Sequence, residues 1–71
     1  MKSFYHYMMK FRHNQGGDPL GELARFAYND HSFPKSSTDY HEISLYLEMN
    51  GHFLESMSIF DQAWDLYENE R

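Results

Sequence analysis

Residues 30–48 read DHSFPKSSTDYHEISLYLE. The stretch concentrates two histidines, five aliphatic hydroxyls, two aspartates and two glutamates, so it is either a chemical site or a joint between helices. Phe33 precedes Pro34, and a residue before proline is pushed out of the α region, so one helix cannot run through. Ser36 with Asp39, and Asp39 with Glu42, then offer overlapping arrangements for capping a helix start. Ile43, Tyr46 and Leu47 follow at helical spacing, which predicts a helix over about 40–49 with Ile43, Tyr46 and Leu47 inward. Asn50-Gly51 is a stop signal. Phe33 is left as a plug for the core between two helices. On this reading the stretch is mostly a joint.

The neighbouring segments carry the same period. In DPLGELARFAYND (18–30), Asp18 suits the N-cap and Pro19 the first helical position, where its missing N–H costs nothing. Leu20, Leu23, Ala24 and Ala27 make the apolar stripe, and Phe26 falls off it. Upstream, Phe4, Tyr7, Met8 and Phe11 predict a helix over about 3–12, capped by Ser3 and ended by the glycines of HNQGG. Downstream, Phe53, Met57, Phe60, Trp64 and Tyr67 predict a last helix over about 52–69, with Leu54 and Ala63 beside the stripe and Trp64 as a core anchor. Its other face carries Glu55, Asp61, Asp65 and Glu68. The chain has two isoleucines and no valine, and no alternating run suggests a strand. The expected fold is an all-α, compact four-helix bundle forming one domain over 1–71, with a short turn at 33–37 as an optional fifth element.

Composition bounds the function classes. Apolar residues make up 41% and aromatics 18% of 71 residues, and each aromatic buries about 150–250 Å². The mean hydropathy of −0.80 therefore reflects few but bulky apolar side chains. There is no cysteine, which removes disulfides and thiolate metal sites and suits a reducing compartment. No continuous apolar run resembles a signal peptide or a membrane span, so a cytoplasmic protein without membrane contact is expected. The net charge of −5 is divided, with +2 in residues 1–35 and −7 in residues 36–71. An acidic half repels phosphate backbones.

Chemistry-bearing sets are sparse. His6, His13, His31, His41 and His52 include no pair three or four residues apart, so no helix presents two imidazoles to a metal. His31, Asp39 and His41 form the one set that could be assembled across segments; no metal and no cofactor is expected. Ser36, Ser37 and Thr38 near His31 or His41 could be drawn as a hydroxyl–imidazole pair, but helix capping explains them with less. Gly16-Gly17 lacks the rest of a phosphate loop and precedes an acidic cap, so it reads as a turn. Met8, Met9, Met49 and Met57 read as core filler. Lys2, Lys10, Arg12 and Arg25, with Lys35 and interleaved Tyr5 and Tyr7, form the only arrangement suited to nucleic acid. The side chains the joint does not absorb are His31, Lys35, Tyr40, His41 and Glu42, which are the first candidates for an interaction surface.

Beyond these readings, MKSFYHYMMKFRH (1–13), the pattern DHSFPK-x-S-x-DYHEIS-x-YLE and FDQAWDLYE (60–68) resemble the YozE-like family of small proteins from low-GC Gram-positive bacteria. The resemblance spans essentially the whole chain. It implies a four-helix fold similar to the sterile alpha motif, an architecture used for protein association and sometimes for nucleic-acid binding. It implies no catalytic residues. The expected function is therefore a non-enzymatic protein-interaction module, binding an unidentified protein or weakly self-associating. The alternative is an accessory protein that binds nucleic acid through Lys2, Lys10, Arg12 and Arg25.

Overall fold

The computed structural model describes residues 2–50 and 57–70. Among them are four α-helices and no strand. α1 spans Phe4–Met8 and tightens into a 3-10 turn over Met9–Phe11, α2 spans Pro19–Asn29, α3 Tyr40–Met49 and α4 Met57–Glu70.

The expected caps form at three helix starts. Ser3 accepts a hydrogen bond from the His6 N–H at 3.1 Å. Asp18 accepts from the Leu20 N–H at 3.3 Å, with Pro19 opening α2. At α3 the choice between overlapping caps falls on Asp39, whose carboxylate accepts from the His41 N–H at 3.0 Å. Ser36 makes no cap; Ser37 instead accepts from the Asp39 N–H at 3.1 Å and orients the capping residue. No helix forms over 33–37: the Ser37 N–H donates to the Pro34 carbonyl at 3.3 Å in a turn.

The first helix departs from expectation in its last turn. Arg12 and Asn14 donate backbone bonds three residues back, to Met9 and Phe11, which is 3-10 geometry. The chain just beyond this turn is held by α2. Arg25 Nη1 reaches across to the carbonyls of Arg12 at 3.3 Å and Asn14 at 2.9 Å, satisfying acceptors that an α-helical ending leaves open. Gly17, expected near the end of the first helix, adopts φ +94° in the turn that delivers Asp18, where the Asp18 N–H meets the Gln15 carbonyl at 3.1 Å. That φ favours glycine. Gly21 is buried against the same segment; a Cβ there would lie 3.0 Å from Asn14 Cβ and 3.3 Å from the Phe11 carbonyl oxygen.

The core joins Phe4, Tyr7 and Met8 of α1 to Leu23, Ala24 and Ala27 of α2, Ile43 and Leu47 of α3, and Phe60, Ala63 and Tyr67 of α4. Phe33 fills the joint at 3% exposure, as its position before Pro34 suggested. Phe4 is fully buried in an aromatic group: its ring lies 5.4 Å from Phe60, 5.2 Å from Trp64 and 5.6 Å from Tyr67. Trp64 is only half-buried, yet its ring lies 5.2 Å from Phe4, 5.4 Å from Tyr40, 6.1 Å from Phe60 and 4.9 Å from Tyr67. Phe26, Tyr46, Phe11 and Leu20 also pack on the core from partly buried positions. The expected core contributions of Phe53 and Leu54, and the expected start of the last helix near residue 52, lie outside the described residues.

Two long-range ties close the bundle. The Phe4 N–H donates to the Ser37 carbonyl at 3.2 Å, fixing the start of α1 to the joint. The Tyr67 hydroxyl donates to the Lys2 carbonyl at 2.7 Å, fixing α4 to the same end.

Candidate docking surface

Each nominated side chain follows from its place on these elements. Tyr40 opens α3 and turns toward α4. Its hydroxyl donates to Asp61 Oδ1 at 2.7 Å, and its ring stacks on Phe60 at 5.2 Å and 25°. Accepting that hydrogen bond, the Asp61 carboxylate holds the Tyr40 phenol protonated above its ordinary range. Lys35 turns the opposite way, with its ammonium 5.6 Å from the Tyr5 ring centroid and 3.4 Å from the Asp30 carbonyl. His31 is exposed in the turn after α2. His41 and Glu42 are exposed on α3. The five candidates are thus divided: Tyr40 holds α3 to α4, Lys35 belongs with α1, and His41 and Glu42 share the outer side of α3. Among the described residues no three histidines or carboxylates gather as metal ligands, so His31, Asp39 and His41 do not come together as one site.

The joint has its own lock. Asp30 accepts from the Ser32 N–H at 3.0 Å through Oδ1 and from the Tyr46 hydroxyl through Oδ2. The Tyr46 phenol is pushed up to about 12, first by that hydrogen bond and then by desolvation. Much of the polar chemistry of 30–48 is therefore structural.

Of the four cations considered for nucleic acid, Lys10, Arg12 and Arg25 lie at one end of the first helix, each with a partner within the chain. Lys10 pairs with Glu70 at 3.1 Å and lies 4.6 Å from the Tyr7 ring centroid; the Glu70 hydrogen bond raises its pKa. The Arg12 guanidinium sits 4.3 Å from the Tyr28 ring centroid. Arg25 is half-buried and committed to two backbone carbonyls. Lys2 is exposed at the other end of the first helix.

The outer face of α3 holds what sequence reasoning missed. Leu45 is 48% exposed and Met49 78% exposed; Met49 is therefore not core filler, whereas Met8 is buried and Met9 and Met57 are half-buried. Leu45 lies two residues from both Ile43 and Leu47, about 200° around the helix from each, so it points away from the core. His41 and Met49, four residues either side of Leu45, share its stripe, and Glu42 and Glu48, three residues either side, flank it. The exposed residues His41, Glu42, Leu45, Glu48 and Met49 thus form one face: an apolar centre with an acidic margin. The signal was legible, since Leu45 is out of phase with the buried pair.

A second feature is a shallow depression of about 190 Å³ lined by Ser3, Tyr5, His6, Met9 and Lys35. Within the described residues no helix is long and apolar enough to cross a membrane.

Comparison with known proteins agrees with this architecture. The family model described as the YozE SAM-like fold matches residues 3–69. The UPF0346 protein YozE of Bacillus subtilis is 61% identical over 70 residues, covering 99% of this chain and 95% of its own. A UPF0346 protein of Geobacillus kaustophilus is 55% identical over 69 residues, covering 97% of this chain and 96% of its own. The solution NMR structure of the Bacillus subtilis protein superposes with a TM-score of 0.87, covering 99% of this chain and 85% of that one. The chain belongs to the YozE SAM-like family.

Proposed function

We propose that this chain is a non-enzymatic, cytoplasmic protein-association module that docks its partner through the outer face of α3. The observation that carries this reading is the exposure of Leu45 and Met49 between Glu42 and Glu48. Apolar side chains grouped on one exposed helix face lower the free energy of any complex that covers them. The acidic margin selects a partner whose own apolar contact is rimmed by lysine or arginine. A symmetric pairing of two α3 faces fits less well. Antiparallel alignment about Leu45 brings Glu42 of one copy to Glu48 of the other, and like charges repel.

The non-enzymatic reading draws support from the small size of the depression, about 190 Å³, against roughly 300–1,000 Å³ for small-molecule sites. The cysteine-free composition suits the cytoplasm. Association through a fold similar to the sterile alpha motif is an analogy of architecture and carries less weight. Nucleic-acid binding has weaker support, because Lys10 and Arg25 already hold internal partners.

The test is quantitative co-purification from native cells with the unaltered chain and with a Leu45→Glu/Met49→Glu variant of equal melting temperature. The reading expects at least one protein to be enriched by the former and lost with the latter. Identical sets of retained proteins contradict it.

A further inference from the structure

We propose that the depression between α1 and the joint binds a peptide carboxylate carried next to an apolar side chain, a surface separate from the outer face of α3.

Its walls come from two segments that the fold holds in register. Ser3, Tyr5, His6 and Met9 come from α1 and its flanks, and Lys35 from the joint. The Phe4 N–H to Ser37 carbonyl bond ties these segments together. The Tyr5 ring also packs 5.9 Å from Phe33, the buried plug of the joint. The position of Lys35 relative to Tyr5 is therefore set by the core.

The charge balance of this depression differs from the rest of the molecule. The chain carries a net charge of −5, yet no carboxylate side chain is among the lining residues. Lys10 and Arg25 are occupied by Glu70 and by backbone carbonyls. Among the described residues, the Lys35 ammonium forms no ion pair; its polar contact is the long one to the Asp30 carbonyl at 3.4 Å. An ammonium has three donors, so donors remain to face the depression. Ser3 Oγ accepts from the His6 N–H, which leaves the hydroxyl proton to donate to an incoming oxygen.

The apolar requirement comes from Tyr5 and Met9, both half-buried beside these donors. A thioether adapts to irregular apolar shapes. A volume of about 190 Å³ admits about one peptide residue and its neighbour's side chain, and falls short of the roughly 300 Å³ at which small-molecule sites begin. An acidic residue beside a leucine-like one is the occupant that satisfies both walls. Lys35 and His6 are exposed, so the ion pair is solvent-screened and the binding is weak and salt-sensitive.

The experiment is an amide-shift titration of the nitrogen-15-labelled full chain with an end-capped peptide of alternating leucine and glutamate, and with its leucine–glutamine counterpart. The glutamate peptide is expected to shift the amides of Ser3, Tyr5, His6 and Met9 saturably. Replacing glutamate by glutamine, or Lys35 by alanine, is expected to weaken binding about two- to fivefold, and Lys35→Arg to retain it. Lys35 is exposed, and an unchanged amide spectrum outside the depression verifies the fold of both variants. Equal shifts from both peptides, indifference to Lys35→Ala, or no saturable shift at millimolar peptide overturns the proposal. Shifts confined to Leu45 and Met49 assign the peptide to α3 and also overturn it. Concentration-dependent shifts of the same amides without peptide place a second copy there, which contradicts the assigned occupant.

Discussion

Tyr40 and Asp61 join the first turn of α3 to the exposed side of α4 through a 2.7 Å hydrogen bond, while the Tyr40 ring stacks on Phe60 beneath it. One residue thus makes a polar clasp and an aromatic lid over buried Phe60. Tyr40→Phe keeps the ring and loses the clasp, so its melting temperature should fall slightly. Tyr40→Ala also uncovers Phe60 and should fall further. Thermal unfolding of the two variants separates the contributions, and equal losses would assign the whole effect to the hydroxyl.

Phe4 is buried more deeply than Trp64 and should be the costlier of the two to truncate. Phe4 has 0% exposure, whereas Trp64, although its ring meets four others, is only half-buried. Phe4→Ala should cost about 3–5 kcal/mol, against a total stability of roughly 5–15 kcal/mol for small domains. Trp64→Ala should cost less. Chemical denaturation of both variants checks the order, and a larger loss for Trp64→Ala reverses it.

Which residue caps α3 can be read from stability. Asp39→Ala removes the acceptor of the His41 N–H and should cost about 0.5–2 kcal/mol. Ser36→Ala should leave the melting temperature unchanged, since Ser36 is exposed and makes no cap. A loss on Ser36→Ala and none on Asp39→Ala would mean the helix starts elsewhere.

Much of this was legible from residue types and spacing. Asp18-Pro19 placed the start of α2, and Asp39 with Asn50 bracketed α3, because caps act within a few residues of the groups they satisfy. Phe33 was readable as a plug because Pro34 forbids a continuous helix. The 3-10 ending of the first helix was not, nor was the tie of its following residues to Arg25, a donor on another helix. Trp64 lay in the apolar stripe, but periodicity ranks a stripe and not the depth of each member. The candidate surface was half legible. His41 and Glu42 do share a face with the exposed apolar pair, while Tyr40 and Lys35 are drawn elsewhere by Asp61, Phe60 and Tyr5.

The Tyr46–Asp30 bond gives the fold an alkaline limit. The phenol titrates near 10.0 when unperturbed and is pushed up to about 12 here. Between these values the unfolded chain releases the proton and the folded chain keeps it. The unfolded state then binds fewer protons, so stability is fully present below about pH 10 and declines toward pH 12. Tyr46→Phe should flatten that part of the decline. Unfolding free energies measured across the alkaline range provide the check, and an identical slope in the variant contradicts the assignment.

The association account stands most directly on what touches Met49 in native cells. A photo-crosslinking side chain at position 49 of α3, compared with one at the exposed position 22 of α2, reports it. The account predicts that position 49 captures a discrete protein partner, that position 22 does not, and that Leu45→Glu abolishes the adduct. Absence of any adduct at position 49, or the same adducts from both positions, would contradict docking through the outer face of α3.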